Sequence, residues 1–367
     1  MYKLKYQHKT NGWIALTVFA ALSLSSCSGA GDEPDSGNGN AIVFGAYISD
    51  AYESRASVAN IDDLKKAGFG VFASNTGADD FNPDATVGFT PDFMYNQKVW
   101  WKAASSGVIG AGSWLCDQDK YWPRGKVSFF AYAPYAAAFG ETGITGITGI
   151  EVSGSPKVTF KMDSDVDKQI DFLYADAEKT VNLEKVDQVQ FNFRHALSRV
   201  GFRIVADEVI DAATTLTINS VVFKSSSLGA SGDLNLASGK WENVEAREME
   251  YPFETGDFIA GSNVITHAAG TKMSDLTANG KYLMLIPSNK AVPVAITVNY
   301  DVATVDANLA AGGITINNEI TSAFEFNFET GKAYWFTLRL GLKSVDVEPV
   351  VSDWEDSETD WKPEEKQ

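Results

Sequence analysis

The sequence predicts an all-β protein with two sheet domains, mostly antiparallel. Three observations carry that expectation. Apolar residues recur with period two, as in Ile42, Phe44, Ala46 and Ile48, in Val189, Phe191 and Phe193, and in Val200, Phe202 and Ile204. Such alternation, rich in aromatic and β-branched residues, marks half-buried strands. The 31 Gly and 11 Pro suit many short strands joined by turns. Few stretches have helical spacing, and residues 61–66, capped by Asn60, are the clearest exception. A chain of 367 residues with 44% hydrophobic content is long enough for two domains, each with its own core.

The N-terminus is an export signal. Lys3, Lys5 and Lys9 precede an apolar run over 13–24, and L-S-S-C ends at Cys27. The run is short for a membrane span. A small residue before an accessible cysteine matches lipoprotein processing, with residues 1–26 removed and the Cys27 thiol lipidated. Residues 27–40 are rich in Gly, Ser, Asp and Asn, and after Cys27 hold no apolar residue larger than Ala or Pro, a flexible tether. Lipid, tether and folded body together describe attachment at a membrane surface. With Cys27 lipidated, Cys116 has no disulfide partner. The formal charge of −18 repels phosphate backbones and argues against nucleic acid as a partner.

Taken in order, residues 41–48 read as the first strand. Arg55, followed by Ala56, is the first basic residue after Cys27. By its residues alone it is either an ordinary arginine in a polar loop or a site for a trypsin-like protease. Strands follow near 70–73, 94–101 and 127–135. Trp100, Trp101, Tyr121 and Trp122 read as packing rings or as a platform on which sugars stack. G-I-T-G-I-T-G-I over 143–150 reads as a loop, and 156–162 as a strand. Residues 189–205 read as strand, basic interruption and strand, a join at mid-chain. Beyond it, 216–223, 282–287, 292–302, 324–328 and 333–342 read as strands, and 225–239 as a polar loop. Residues 345–354 form a last strand that Pro349 marks as an edge. The acidic tail 355–367 frays.

Chemistry-bearing motifs are lacking. His8 lies in the leader, and His195 and His267 stand apart with no ligand spacing around them, so no metal or cofactor is expected. D-S-D-V-D over 163–167 lacks the Gly and Glu of a calcium loop, which here are Lys168 and Tyr174. His195 near Ser198 has no identifiable orienting acid and reads as structural. The chain is not expected to be an enzyme, and a hydrolase with paired carboxylates is the weakest reading.

Seven short motifs occur in order: L-S-S-C at 24–27, Y-W-P followed by V-S-F-F-A-Y-A-P over 121–134, D-F-L-Y-A-D-A at 171–177, F-R-H-A-L-S-R-V at 193–200, Y-L-M-L-I-P at 282–287, G-K-A-Y-W-F-T-L at 331–338 and V-V-S-D-W at 350–354. The series resembles the fimbrillin family of Bacteroidales, the type V pilins, over almost the whole mature chain. The resemblance implies two tandem transthyretin-like β-sandwich domains, here 41–193 and 194–354. It implies export to the outer membrane through palmitate at Cys27 and assembly into a surface fimbrium. It implies that an arginine-specific protease cuts between Arg55 and Ala56. That would remove residues 41–55, with Ile42, Phe44, Ala46 and Ile48, and leave a groove that a strand from another fimbrial subunit fills. Residues 345–354 would be either a donor strand or part of the fold. The alternative is a monomeric surface lipoprotein that binds host or bacterial glycans or proteins through its aromatic rings.

Overall fold

The computed structural model describes residues 41–48, 60–103, 112–137, 139–140, 143–180, 188–277 and 281–354. The leader, the tether with Cys27, Arg55 and Ala56, and the tail 355–367 lie outside the described residues. The all-β, mostly antiparallel expectation holds. Two pairings are parallel: Phe44–Ile48 with Val189–His195, and Ser198–Ala206 with Lys332–Leu340.

Seven strands of the first half close into a ring. Its order is Phe44–Ile48, Ser113–Cys116, Met94–Lys102, Phe69–Gly77, Lys126–Ala133, Leu173–Thr180 and Val189–His195. Their alternate residues fill the interior, with Phe69, Val71, Phe129, Phe191 and Phe193 fully buried. The helix Ile61–Ala67 packs Leu64 onto this core. The Asn60 side chain accepts from the Asp62 and Asp63 amides at 2.9 and 3.0 Å, satisfying two of the amides a helix start leaves open.

The second half stacks two sheets. One has five strands around Ser198–Ala206 and Lys332–Leu340, with Val345–Asp353 at its edge. The other has seven strands around Thr214–Asn235. Between them lies an apolar core that includes Phe202, Phe223, Ile296, Tyr300 and Phe336.

Three local expectations change. Most of 225–239 is not a loop: the strand runs on to Asn235, with register shifts at Ser225/Leu228, Gly229/Ser231 and Ser231/Asp233 against Trp241–Glu254. Bulges absorb the polar and glycine residues that look like a turn in sequence. The repeat 143–150 is not wholly loop, because Ile144–Ile147 is a strand with Ile144 fully buried. Pairing also crosses the 193/194 point. Lys157–Lys161 pairs with the Asn235 end of Thr214–Asn235, and Ile144–Ile147 pairs with Lys157–Lys161.

That exchange of strands creates a third core at mid-molecule. It holds Phe130, Tyr132, Phe160, Phe172 and Tyr174 from before the join, and Trp241, Tyr282, Trp335 and Trp354 from after it. The described residues accordingly fall in one compact unit. The peptide Ala196–Leu197 passes through this core, and three of its backbone groups have identified partners. The Ala196 amide donates to the Phe172 carbonyl at 2.8 Å, the Ala196 carbonyl accepts from Trp241 Nε1 at 2.7 Å, and the Leu197 carbonyl accepts from the Gly331 amide at 2.9 Å. Gly239, at φ +68°, lies so close to the Tyr174 hydroxyl that a Cβ there would sit 1.9 Å from it.

Candidate functional site

The strand Phe44–Ile48 closes the ring, and its two edges are held unequally. On one side five residues pair with Val189–His195, from Phe44 opposite Val189 to Ile48 opposite Phe193. On the other side the ladder is a single pair, Phe44 with Trp114. Before the strand, Ala41 bridges Tyr121 and the Ile42 amide donates to the Lys120 carbonyl at 2.7 Å. The Gln188 side-chain amide donates to the Phe44 carbonyl at 2.6 Å.

The alternation read from the sequence is realised in three dimensions. Ile42, Phe44 and Ile48 point inward at 8%, 1% and 8% exposure, and Ala46 is half-buried. Val43 and Tyr47 face out, each 46% exposed. Phe44 stacks on Phe191 with ring centroids 5.9 Å apart and meets Phe129 edge-on at 6.2 Å. Phe69 extends the aromatic seat through contacts with Trp114, Phe191 and Phe193. Burying three such side chains contributes on the order of 5–8 kcal/mol. Gly45 lies under Gln190, whose Oε1 would be 2.1 Å from a Cβ there. Side-chain amides therefore lie over the middle of the outer face, at Gly45, while apolar groups grip the inner face.

This seat holds a strand of the chain itself. Without Phe44–Ile48, the Val189–His195 edge would lose its partner and the Phe129, Phe191 and Trp114 rings would face an open trough. Among the described residues, no group of three or more His, Cys, Asp or Glu is placed to hold a metal. His195 and Ser198 do not work together. The Ser198 hydroxyl donates to the Glu329 carbonyl at 2.8 Å, while His195 Nδ1 lies 2.7 Å from Asp171 Oδ2 in the central core. The acid nearest His195 is thus Asp171, but the two form a close buried pair whose geometry makes no hydrogen bond.

The four rings considered as a sugar platform divide between surface and core. Trp100 and Tyr121 are exposed at 37% and 51%. Trp122 is buried edge-on against Phe129, and half-buried Trp101 packs on Trp114. Cys116 is half-buried at the end of its strand. Burial first, then Asp117 and Asp119, push its thiol from 9.0 up to about 12. At pH 8 it should therefore alkylate at least about tenfold more slowly in the native protein than in denatured chain, followed by peptide mass mapping, because the thiolate is the nucleophile. Because the folded value lies above the unfolded one, the thiol's contribution to stability is complete below pH 9 and is lost as pH rises toward 12.

With the geometry of the first strand in place, comparison with known proteins gives the family. The fimbrillin-like family profile matches residues 54–354. The chain belongs to the fimbrillin-like family. Fimbrium subunit Fim1C of Phocaeicola vulgatus is 24% identical over 391 residues, covering 94% of this chain and 97% of that one. The crystal structure of a fimbrial protein from Bacteroides vulgatus superposes with a TM-score of 0.66 at 23% identity, covering 86% of this chain and all of that one. That likeness extends to the fold. For a fimbrillin-like chain the notable feature is that the family match begins at 54, so the closing strand Phe44–Ile48 precedes it.

Proposed function

We propose that this fimbrillin-like protein is a structural or adhesive subunit of surface fimbriae. It is exported as a lipoprotein held to the outer membrane through Cys27. Cleavage by an arginine-specific protease between Arg55 and Ala56 then frees its first strand, and a strand from another fimbrial subunit takes the vacated seat. The observation that supports this best is the Phe44–Ile48 strand itself. It is short, N-terminal, apolar on its inner face and fully laddered on one side only. Arg55 follows it by seven residues and is the first cation after the lipidation site. A single cut there would sever strand and lipid anchor together. The sheet would then expose unpaired backbone groups and apolar side chains, both of which an added strand satisfies.

The test uses the mature protein and an arginine-specific protease. Cutting at Arg55 should leave a stable core starting at Ala56, and a labelled peptide of residues 41–54 should bind the cut protein but not the uncut one. Arg55→Ala should resist the cut and capture no peptide. Collapse of the whole fold after cleavage, or a cut protein that ignores the peptide, would sink the mechanism. Glycan recognition has narrower support, since only Trp100 and Tyr121 of the four rings are exposed. Glycan binding that Trp100→Ala abolishes would add an adhesive role to the structural one.

A further inference from the structure

The last strand, Val345–Asp353, pairs with Lys332–Leu340 over nine residues and lies at the edge of its sheet. Its own side chains hold only its first half, where Val345 and Val347 reach the apolar core. Val345 is buried, but Val350 and Val351 are exposed at 37% and 55%, and Pro349 has no amide to donate. A strand with so little of one face buried has a poorly specified register. The next residue, Trp354, is different: it is 3% exposed and lies in the central core.

The Trp354 indole lies flat on the His195 imidazole, with ring centroids 4.2 Å apart and planes 13° from parallel. The Arg199 guanidinium carbon is 5.3 Å from the Trp354 ring centroid and 4.6 Å from that of Tyr282. Behind His195 is Asp171, whose side chain is fully buried. His195 and Arg199 flank the Ala196–Leu197 peptide, so the end of the last strand is fastened where the two halves join. Placing an imidazole and a guanidinium against a buried indole costs desolvation that an all-apolar site avoids. What such a pair adds over apolar packing is selectivity, because cations prefer the face of an aromatic ring and prefer tryptophan among them.

We propose that Trp354 is the latch of the last strand. The His195 ring and the Arg199 guanidinium, which also lies over Tyr282, recognise the indole and hold Val345–Asp353 in its own sheet. In the assembly proposed above, on which this inference rests for its consequence, the subunit receives a strand at its N-terminal seat and does not give its C-terminal strand to another copy.

Hydrogen exchange on the uncut full chain tests the latch independently of strand exchange. Amides of 345–353 that face Lys332–Leu340 should be as protected as those of the partner strand. Trp354→Ala should speed their exchange roughly tenfold or more while leaving Lys126–Ala133 in the ring unchanged. Trp354→Phe, which keeps a stacking ring and a folded core, should fall between the two. Fast exchange of 345–353 in the unaltered protein, or protection unchanged in both variants, overturns the latch. The consequence is tested on protein cut at Arg55 and incubated alone. It should stay monomeric while still capturing the 41–54 peptide. Polymers in which 345–353 cross-links to Val189–His195 of another copy overturn it. A cut protein that captures no peptide at all counts against the strand-exchange reading alone, since the exchange experiment does not depend on it.

Discussion

Phe44→Asp should destabilise the uncut protein by more than about 4 kcal/mol, enough to open the N-terminal ring. The side chain is 1% exposed and sits between Phe191 and Phe129. Truncating a buried phenylalanine costs about 3–5 kcal/mol. Aspartate adds a charge among rings, with no partner to offset its desolvation. The informative control is three residues along the same strand. Tyr47 faces out at 46% exposure, and Tyr47→Asp should cost less than about 1 kcal/mol. Urea unfolding followed by tryptophan fluorescence measures both. After cleavage at Arg55 and removal of the strand, the two variants should unfold like the unaltered cut protein. Equal effects of Phe44→Asp and Tyr47→Asp in the uncut form would mean that the strand is not seated as described. A Phe44→Asp penalty that survives removal of the strand would mean the strand does not leave.

The inner and outer faces of that strand were legible because period two is a local property and one register satisfies it. The same holds for the Asn60 cap and for the edge character of Pro349. What the sequence concealed is non-local. Residues 225–235 carry serines and glycines that resemble a turn, yet strands flank them on both sides, and bulges accommodate the misfit. Lys157–Lys161 was recognisable as a strand, but nothing in its composition says that it joins the sheet of the second half. Trp100 and Trp101 are neighbours with the same chemistry, and only register sends one outward and the other onto Trp114. Asp171 was visible within D-F-L-Y and His195 within F-R-H-A. Their meeting depends on two strands that pair only at their ends, Leu173 with His195 and Tyr174 with Arg194.

The central core makes a second large effect expected, at Trp241. This ring is 9% exposed and packs against Phe160 and Phe172, two residues from the other side of the join. Its Nε1 donates to the Ala196 carbonyl at 2.7 Å. Trp241→Ala removes both the packing and the donor, and should cost about 3–5 kcal/mol. Trp241→Phe keeps most of the packing and loses the donor, leaving a buried carbonyl unsatisfied, and should cost about 1–3 kcal/mol. If the third core makes the halves one folding unit, the unaltered protein unfolds in a single transition. The Trp241→Ala penalty then appears equally whether unfolding is followed in the ring or in the C-terminal sheets. Hydrogen exchange at Lys126–Ala133 and at Ala291–Val305 reads the two separately. A loss confined to one half would show that the halves fold independently and merely touch. In the proposed fimbrial assembly, a shared loss has a mechanical meaning. The seat of the first strand and the latch of the last are then fixed to one body, so a pull on a strand held in the seat is borne by the whole fold.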